Sequence, residues 1–403
     1  MARGAKQFST YFLGTALLAA ASLAVIPALV TAEGIGPWSA FALGQSIGAV
    51  AGVAVNFGLN YAGPSVVASS EGPVKRGYLA SALSIQAALL VPVFGVVILL
   101  TLIWAPTSLA MLVLIGSLQQ GLSGISVSWY LIGQSRPWAV FLADITPRVV
   151  SSVVAILLVY RAGANLLIAG VAMTLGVATV AILTAVLALR DTHGVAAQRP
   201  PWRDFITSQA AASWATILDT ATRAAPIVLV SWLVPSVFAA FAFFDKVYRQ
   251  GVTALAPVVQ VLQPWVARAK GQHWWSRVWV SHGVAGALVL AAVMVSALVG
   301  VPVLTALAAG EVDVTETQAI LLAAAIAMWT IPLVSMRAVL LPRGESRFIA
   351  YAGTASSIAG VGLVVVGAYL FGIVGALTGV LFGIALLACV YLARVVGLSR
   401  RER

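Results

Sequence analysis

The sequence predicts an all-α integral membrane protein of about twelve transmembrane helices in two six-helix lobes, with both termini cytoplasmic. Three observations carry this. Of the 403 residues, 61% are hydrophobic and 9% are charged, against roughly 25% charged in soluble domains. Apolar runs long enough to cross a bilayer, about 17 to 25 residues each, follow one another along nearly the whole chain. The basic residues collect on one side of the series, as Lys and Arg in short cytoplasmic loops do.

The first run, 11–32, follows "MARGAKQFST" and reads as a permanent helix rather than a cleavable leader, because so many spans come after it. Runs 39–58 and 78–104 flank a short loop with Lys75 and Arg76. Runs 106–132 and 138–160 flank "GQSR" with Arg136, and 164–189 follows a short outer turn holding Arg161. Then comes the longest polar interval, "RDTHGVAAQRPPWRD" at 190–204, with Pro200 and Pro201. Beyond it lie 205–233, 236–263, 279–305, 317–341, 348–371 and 373–396. The predicted domains are therefore 1–189, a cytoplasmic linker at 190–204, and 205–403.

Twelve crossings put Arg76, Arg136, Arg190, Arg268, Lys270, Arg343, Arg394 and Arg403, among others, on the inner side. The outer side carries Arg161 and the acids Glu33, Glu311, Asp313 and Glu316. The net charge of +11 is spread over many inner loops, so topology explains it better than a nucleic-acid partner does. Cys389 is the single cysteine, which excludes an intrachain disulfide and a cysteine-cluster metal site. His193, His273 and His282 are placed in or beside cytoplasmic loops, with no metal-ligand spacing. No cofactor, metal or enzymatic activity is expected, since no nucleophile motif, phosphate loop or dinucleotide fingerprint occurs. The cluster "QHWWSRVW" at 272–279 is expected at the inner membrane surface. The small residues of "GALTGVLFG" at 375–383 are explained by close helix packing.

The two halves show weak internal similarity. "GQSR" at 133–136 matches "GESR" at 344–347, and "GPSVVAS" at 63–69 resembles "QPWVARA" at 263–269. Each pair falls at corresponding loops of the two halves, as in transporters built from repeated bundles.

Eight charges remain inside the predicted spans: Asp144, Arg148, Asp219, Arg223, Asp245, Lys246, Arg249 and Arg337. Each costs roughly 2.5 to 3.5 kcal/mol at a helix centre on insertion scales, so such residues face a bundle interior or a wet cavity. Three Asp-x-x-x-Arg pairs, "DITPR", "DTATR" and "DKVYR", put acid and base on one helix face. Mutual neutralisation accounts for that spacing. It leaves a remainder, because three carboxylates stand against five cations. A basic surplus in a low-dielectric cavity attracts an anion, and Arg is suited to forked bonding with phosphate oxygens. Arg337, near the inner end of its helix, has snorkelling to the headgroups as its alternative. Pro147 and Pro226 free backbone carbonyls beside two of the pairs, which suits kinked helices around water.

"YFLGTALLAAASLAVIPALVTAEGIGPWSAFALGQSIGAVAGVAVNFGLNYAGPSVVAS", "WYLIGQSRPW" at 129–138 and "FFDKVYRQGVTALAPVVQVLQPWVARA" at 243–269 resemble bacterial polysaccharide flippases of the Wzx type. These belong to the multidrug/oligosaccharidyl-lipid/polysaccharide exporter superfamily. The resemblance implies a V-shaped transporter with a central cavity, in the bacterial plasma membrane. It implies export of a polyprenyl-pyrophosphate-linked oligosaccharide for cell-surface polysaccharide, with membrane lipid and polysaccharide polymerase or assembly proteins as further partners. Asn56 and Asn60 stand where relatives often show an acidic or polar residue. On this reading Arg148, Arg223, Lys246, Arg249 and Arg337 bind the substrate, and Asp144, Asp219 and Asp245 pair with these bases. The rival within the superfamily is a drug or metabolite antiporter, which calls for surplus acid instead. A membrane glycosyltransferase calls for larger outer loops than these.

Overall fold

The computed structural model describes residues 2–105, 107–267, 269 and 272–401. Residue 106, at the start of the fourth expected span, and the inner-loop bases Arg268, Lys270 and Arg403 lie outside the described residues. Among the described residues every regular element is a helix. In order these are α1 (Ala2–Glu33), α2 (Ile35–Asn56), α3 (Leu59–Ser69), α4 (Gly72–Trp104), α5 (Ala110–Gly121), α6 (Ser128–Gly133) and α7 (Pro137–Val140). They continue as α8 (Thr146–Ala162), α9 (Leu166–Asp191), α10 (Trp202–Leu233), α11 (Pro235–Ala267), α12 (Gln272–Leu307), α13 (Glu316–Met328), α14 (Thr330–Val334) and α15 (Ser346–Arg401). Nine described segments are long and apolar enough to cross a membrane, fewer than the twelve spans expected. The difference has two sources. Helices α10 and α11 are long enough, but their internal charges lower their hydropathy. Helix α15 is a single 56-residue stretch that breaks at Gly372, whose φ of 61° and ψ of −143° suit glycine alone.

The chain divides into two compact units, 1–224 and 225–403. That boundary falls within α10, whereas the sequence pointed to 190–204. The first turns of α10 belong with unit 1 because Phe205 is buried in its core beside Leu59, Tyr78, Trp129 and Tyr130. Gly58, in the left-handed conformation between α2 and α3, also meets α10: a Cβ there would lie 2.8 Å from the backbone nitrogen of Ser213.

Within unit 1, α2 lies backbone to backbone on α5. A Cβ on Gly44 would overlap the Val113 carbonyl, one on Gly48 the Ser117 carbonyl, and one on Gly116 the Phe41 carbonyl. This is the small-residue packing that membrane helices use where burial gives no drive to associate. In unit 2 the two arms of α15 pack in the same manner, Gly375 on Gly367 and Gly383 on Gly360. "GALTGVLFG" therefore serves helix contact, as expected.

The "GQSR" and "GESR" turns do correspond, but in a different register. Ser135 (φ 56°) and Gly344 (φ 74°) are the left-handed residues. The next amides, Arg136 and Glu345, each return 3.1 Å bonds to Leu131 and Leu340 carbonyls, the pattern of a Schellman stop. Ser135 thus matches Gly344, two residues away from the four-letter alignment. Each turn is then tied to a later helix of its own unit, Arg136 to Asp191 on α9 and Glu345 to Arg394 on α15, both at 2.6 Å. The charges are reversed between the two. The second expected repeat, 263–269, includes residue 268 and lies partly outside the described residues.

Candidate functional site

The Asp144–Arg148 pair sits where unit 1 interrupts its own helix. Pro147 cannot supply the amide that would close the preceding turn, and residues Phe141–Ile145 widen into a π-helical segment instead. Thr146 Oγ1 donates to the Phe141 carbonyl at 3.0 Å and so satisfies one acceptor of that segment. Arg148 Nε donates to Asp144 Oδ1 at 2.7 Å. The other carboxylate oxygen accepts from Ser128 Oγ, which is itself hydrogen-bonded to Ser126 Oγ at 2.7 Å. Both side chains of the ion pair are about four-fifths shielded.

Asp219 and Arg223 form their pair on α10 at 3.1 Å, and this one is open, with 61% and 54% of the two side chains exposed. Asp245 and Arg249 pair at 2.7 Å on α11, and the Asp245 side chain is only 11% exposed. Lys246 is half-buried beside them. All three Asp-x-x-x-Arg motifs therefore close on their own helices. Arg337 stands on a second π-helical segment, Ser335–Leu340, two residues short of Pro342. It is half-buried and has no hydrogen bond or ion pair among the described residues. Helix α11 packs against this segment, which puts Asp245, Lys246, Arg249 and Arg337 on neighbouring elements of unit 2.

These elements build a mostly helical chain whose unit 1 and unit 2 each carry a half-buried cation on or beside a π-helical interruption. Solved structures align with it from end to end. The eukaryotic MATE transporter AtDTX14 aligns over 98% of this chain and 99% of its own, at 17% identity and TM-score 0.54. An outward-facing multidrug resistance MATE family transporter of the MOP superfamily aligns over 98% and 96%, at 13% identity and TM-score 0.64. A MOP superfamily transporter from Pyrococcus furiosus aligns over 98% and 96%, at 13% identity and TM-score 0.61. The chain has the fold of the MATE transporters.

At such identities the likeness to MATE structures is one of fold. No protein-family model matches the sequence, and neither does any curated protein at a significant level. The structure of this chain corrects one detail read from the sequence. His282 is not beside a loop: it lies ten residues inside α12, with Nδ1 2.8 Å from the Val278 carbonyl and Nε2 2.9 Å from Ser335 Oγ. Trp275 is buried in the core of unit 2, and the Arg343 guanidinium stacks over Trp274 and Trp275 at 4.3 and 4.8 Å. Asn56 is buried as well, its amide donating to the Gly124 carbonyl at 3.2 Å and its carbonyl capping the Asn60 amide at 2.8 Å. Sequence reasoning missed Ser126 and Ser128, because serines near a helix end carry no signal until the fold brings them to Asp144.

Proposed function

We propose that this MATE-fold chain moves a polyprenyl-pyrophosphate-linked oligosaccharide repeat unit from the inner to the outer leaflet of the bacterial plasma membrane. It does so by alternating access, with twelve crossings and both termini in the cytoplasm. The observation that carries the reading is the basic surplus within the spans. Each of Asp144, Asp219 and Asp245 is matched by the arginine one turn on, and Arg337 stands without an acidic partner among the described residues. A cationic drug finds repulsion there, whereas a pyrophosphate finds donors. The Pyrococcus furiosus transporter of this fold is described as having a binding pocket of reverse polarity that suggests a different function. Pocket polarity is thus a variable of the fold, and a basic version is compatible with it.

The roles follow from chemistry. Arg148, Arg223, Lys246, Arg249 and Arg337 hold the phosphates, while the aspartates orient three of the arginines and keep the empty site neutral enough to stay folded. Glycan hydroxyls taken through hydrocarbon lose their partners at roughly 4 to 8 kcal/mol each on alkane scales. A polar path removes most of that barrier while the polyprenyl tail stays in lipid.

The test is made in the native host by deleting the gene and measuring both surface polysaccharide and polyprenyl-linked oligosaccharide. Loss of the polymer with accumulation of its lipid-linked repeat unit is expected. Unchanged glycan with altered tolerance to cationic toxic compounds would reject the cargo in favour of a drug antiporter.

A further inference from the structure

We infer that His282 is a proton-binding site whose occupancy sets the hydrogen bonding of the π-helical segment that carries Arg337. The argument is one of counting hydrogens. The Val278 carbonyl can only accept, so the ring nitrogen 2.8 Å from it, Nδ1, carries a hydrogen. Nε2 lies 2.9 Å from Ser335 Oγ, and Ser335 Oγ lies 3.0 Å from the Ile331 carbonyl oxygen. A serine hydroxyl has one hydrogen to place. With a proton on Nε2, the imidazolium donates to Ser335 Oγ and Ser335 donates to Ile331, so every contact is satisfied. With Nε2 bare, the serine hydrogen turns to Nε2 and the Ile331 bond is given up. The remaining arrangement sets two lone pairs against each other across 2.9 Å. Ser335 is fully buried, so the protein makes this choice internally.

The proton is therefore read at the first residue of the segment Ser335–Leu340, two positions before Arg337. The Trp279 ring lies 5.8 Å from the imidazole and is tilted 48° to it. Helix α12 packs against α11, α13, α14 and the π-helical segment. The charged or titratable side chains on these neighbours are Asp245, Lys246, Tyr248, Arg249, Glu316 and Arg337, and on α12 itself His273 and Arg277. His282 has no ion pair with any of them among the described residues, so its hydrogen-bond partners are Val278 and Ser335. Proton uptake from water at Nε2 and anion binding at Arg337 are then linked, each changing the affinity for the other. This linkage rests on the anionic-cargo reading. The proton site does not.

The chain has three histidines, which makes the site directly observable. A His193→Gln/His273→Gln variant with ¹⁵N-histidine, in nanodiscs of phosphatidylethanolamine and phosphatidylglycerol, leaves one imidazole for NMR titration. Nε2 is expected to lose its proton in one step within the pH window over which the protein stays folded, while Nδ1 stays protonated. Ser335→Ala, which keeps the imidazole in place, is expected to change the proton affinity by about threefold or more. Absence of a step in that window, or a midpoint unmoved by Ser335→Ala, would overturn the proton site. Farnesyl pyrophosphate binding is then measured across the same range. Affinity that varies with pH in the parent and is flat in His282→Gln supports the linkage, and equal affinity at every pH overturns it. No binding at any pH, with a normal titration, rejects the anionic cargo and leaves the proton site standing.

Discussion

Asp144 shows why a single carboxylate inside a membrane protein needs more than one partner. Its two oxygens are divided between Arg148 Nε and Ser128 Oγ, so the charge is both neutralised and held in direction. Replacing Ser128 by Ala leaves one of those acceptors without its donor in a mostly shielded position. The expected cost is about 1 to 3 kcal/mol, to be read as a lower melting temperature of the purified protein in detergent. The open Asp219–Arg223 pair is a useful contrast, since pairs exposed to that degree contribute only about 0 to 1 kcal/mol. Arg337 differs from both in lacking an acidic partner among the described residues. Arg337→Gln keeps a donor and removes the charge, and is expected to weaken farnesyl pyrophosphate binding about tenfold with little change in melting temperature. A tenfold loss is about 1.4 kcal/mol, at the lower edge of the roughly 1.5 to 3 kcal/mol typical of hydrogen bonds to charged groups. Unchanged affinity in this variant would remove Arg337 from the site.

Among the elements, the two π-helical segments share one design. Each precedes a proline by two residues, Ile145 before Pro147 and Leu340 before Pro342, and each carries a charge named from the sequence, Asp144 or Arg337. The proline withholds an amide, the turn widens, and a polar side chain occupies the place where backbone bonding has been loosened. The glycine contacts follow a different logic. At Gly48 the facing backbone of Ser117 leaves no space for a Cβ, whereas at Gly286 a Cβ would meet nothing from neighbouring elements within 4 Å. Gly48→Leu is therefore expected to abolish accumulation of folded protein in the membrane, and Gly286→Leu to be tolerated. Equal yields of the two variants, compared by fluorescence size-exclusion chromatography, would contradict the packing of α2 on α5.

At the scale of the whole molecule, each unit fastens its Schellman turn to a later helix of the same unit by one ion pair, with opposite polarity in the two units. Glu345→Arg sets two arginines together and is expected to lower the melting temperature. The double exchange Glu345→Arg/Arg394→Glu restores opposite charges and should recover most of that loss. Failure of the double variant to recover would mean that the pair's worth lies in packing, for which the Arg394 stack over Phe348 at 5.5 Å is the candidate. The anionic cargo adds a prediction for transport as such. An inside-negative potential favours outward movement of a negative headgroup by about 2.3 kcal/mol per charge per 100 mV. Export in proteoliposomes should then accelerate as the potential is made more negative, and a rate independent of potential would argue against net movement of negative charge.

Chain composition and the order of apolar runs by themselves determined that this is a multi-pass helical protein, because hydrocarbon tolerates few charges and no unsatisfied backbone. The three acid–base pairs were legible for a similar reason: residues four apart share a helix face whatever the helix packs against. The contacts made across the fold were not legible. Ser128 reaches Asp144 over sixteen positions, His282 reaches Ser335 over fifty-three, and Asp191 reaches Arg136 over fifty-five. No local spacing encodes such meetings, since they depend on how neighbouring helices are rotated and how deeply they slide past one another. The break of α15 at Gly372 was legible, since it falls between the runs 348–371 and 373–396, whereas the register of the two repeat turns and the burial of Trp275 were decided only by tertiary structure. There a backbone angle and the room between helices select the residue, and letter similarity does not.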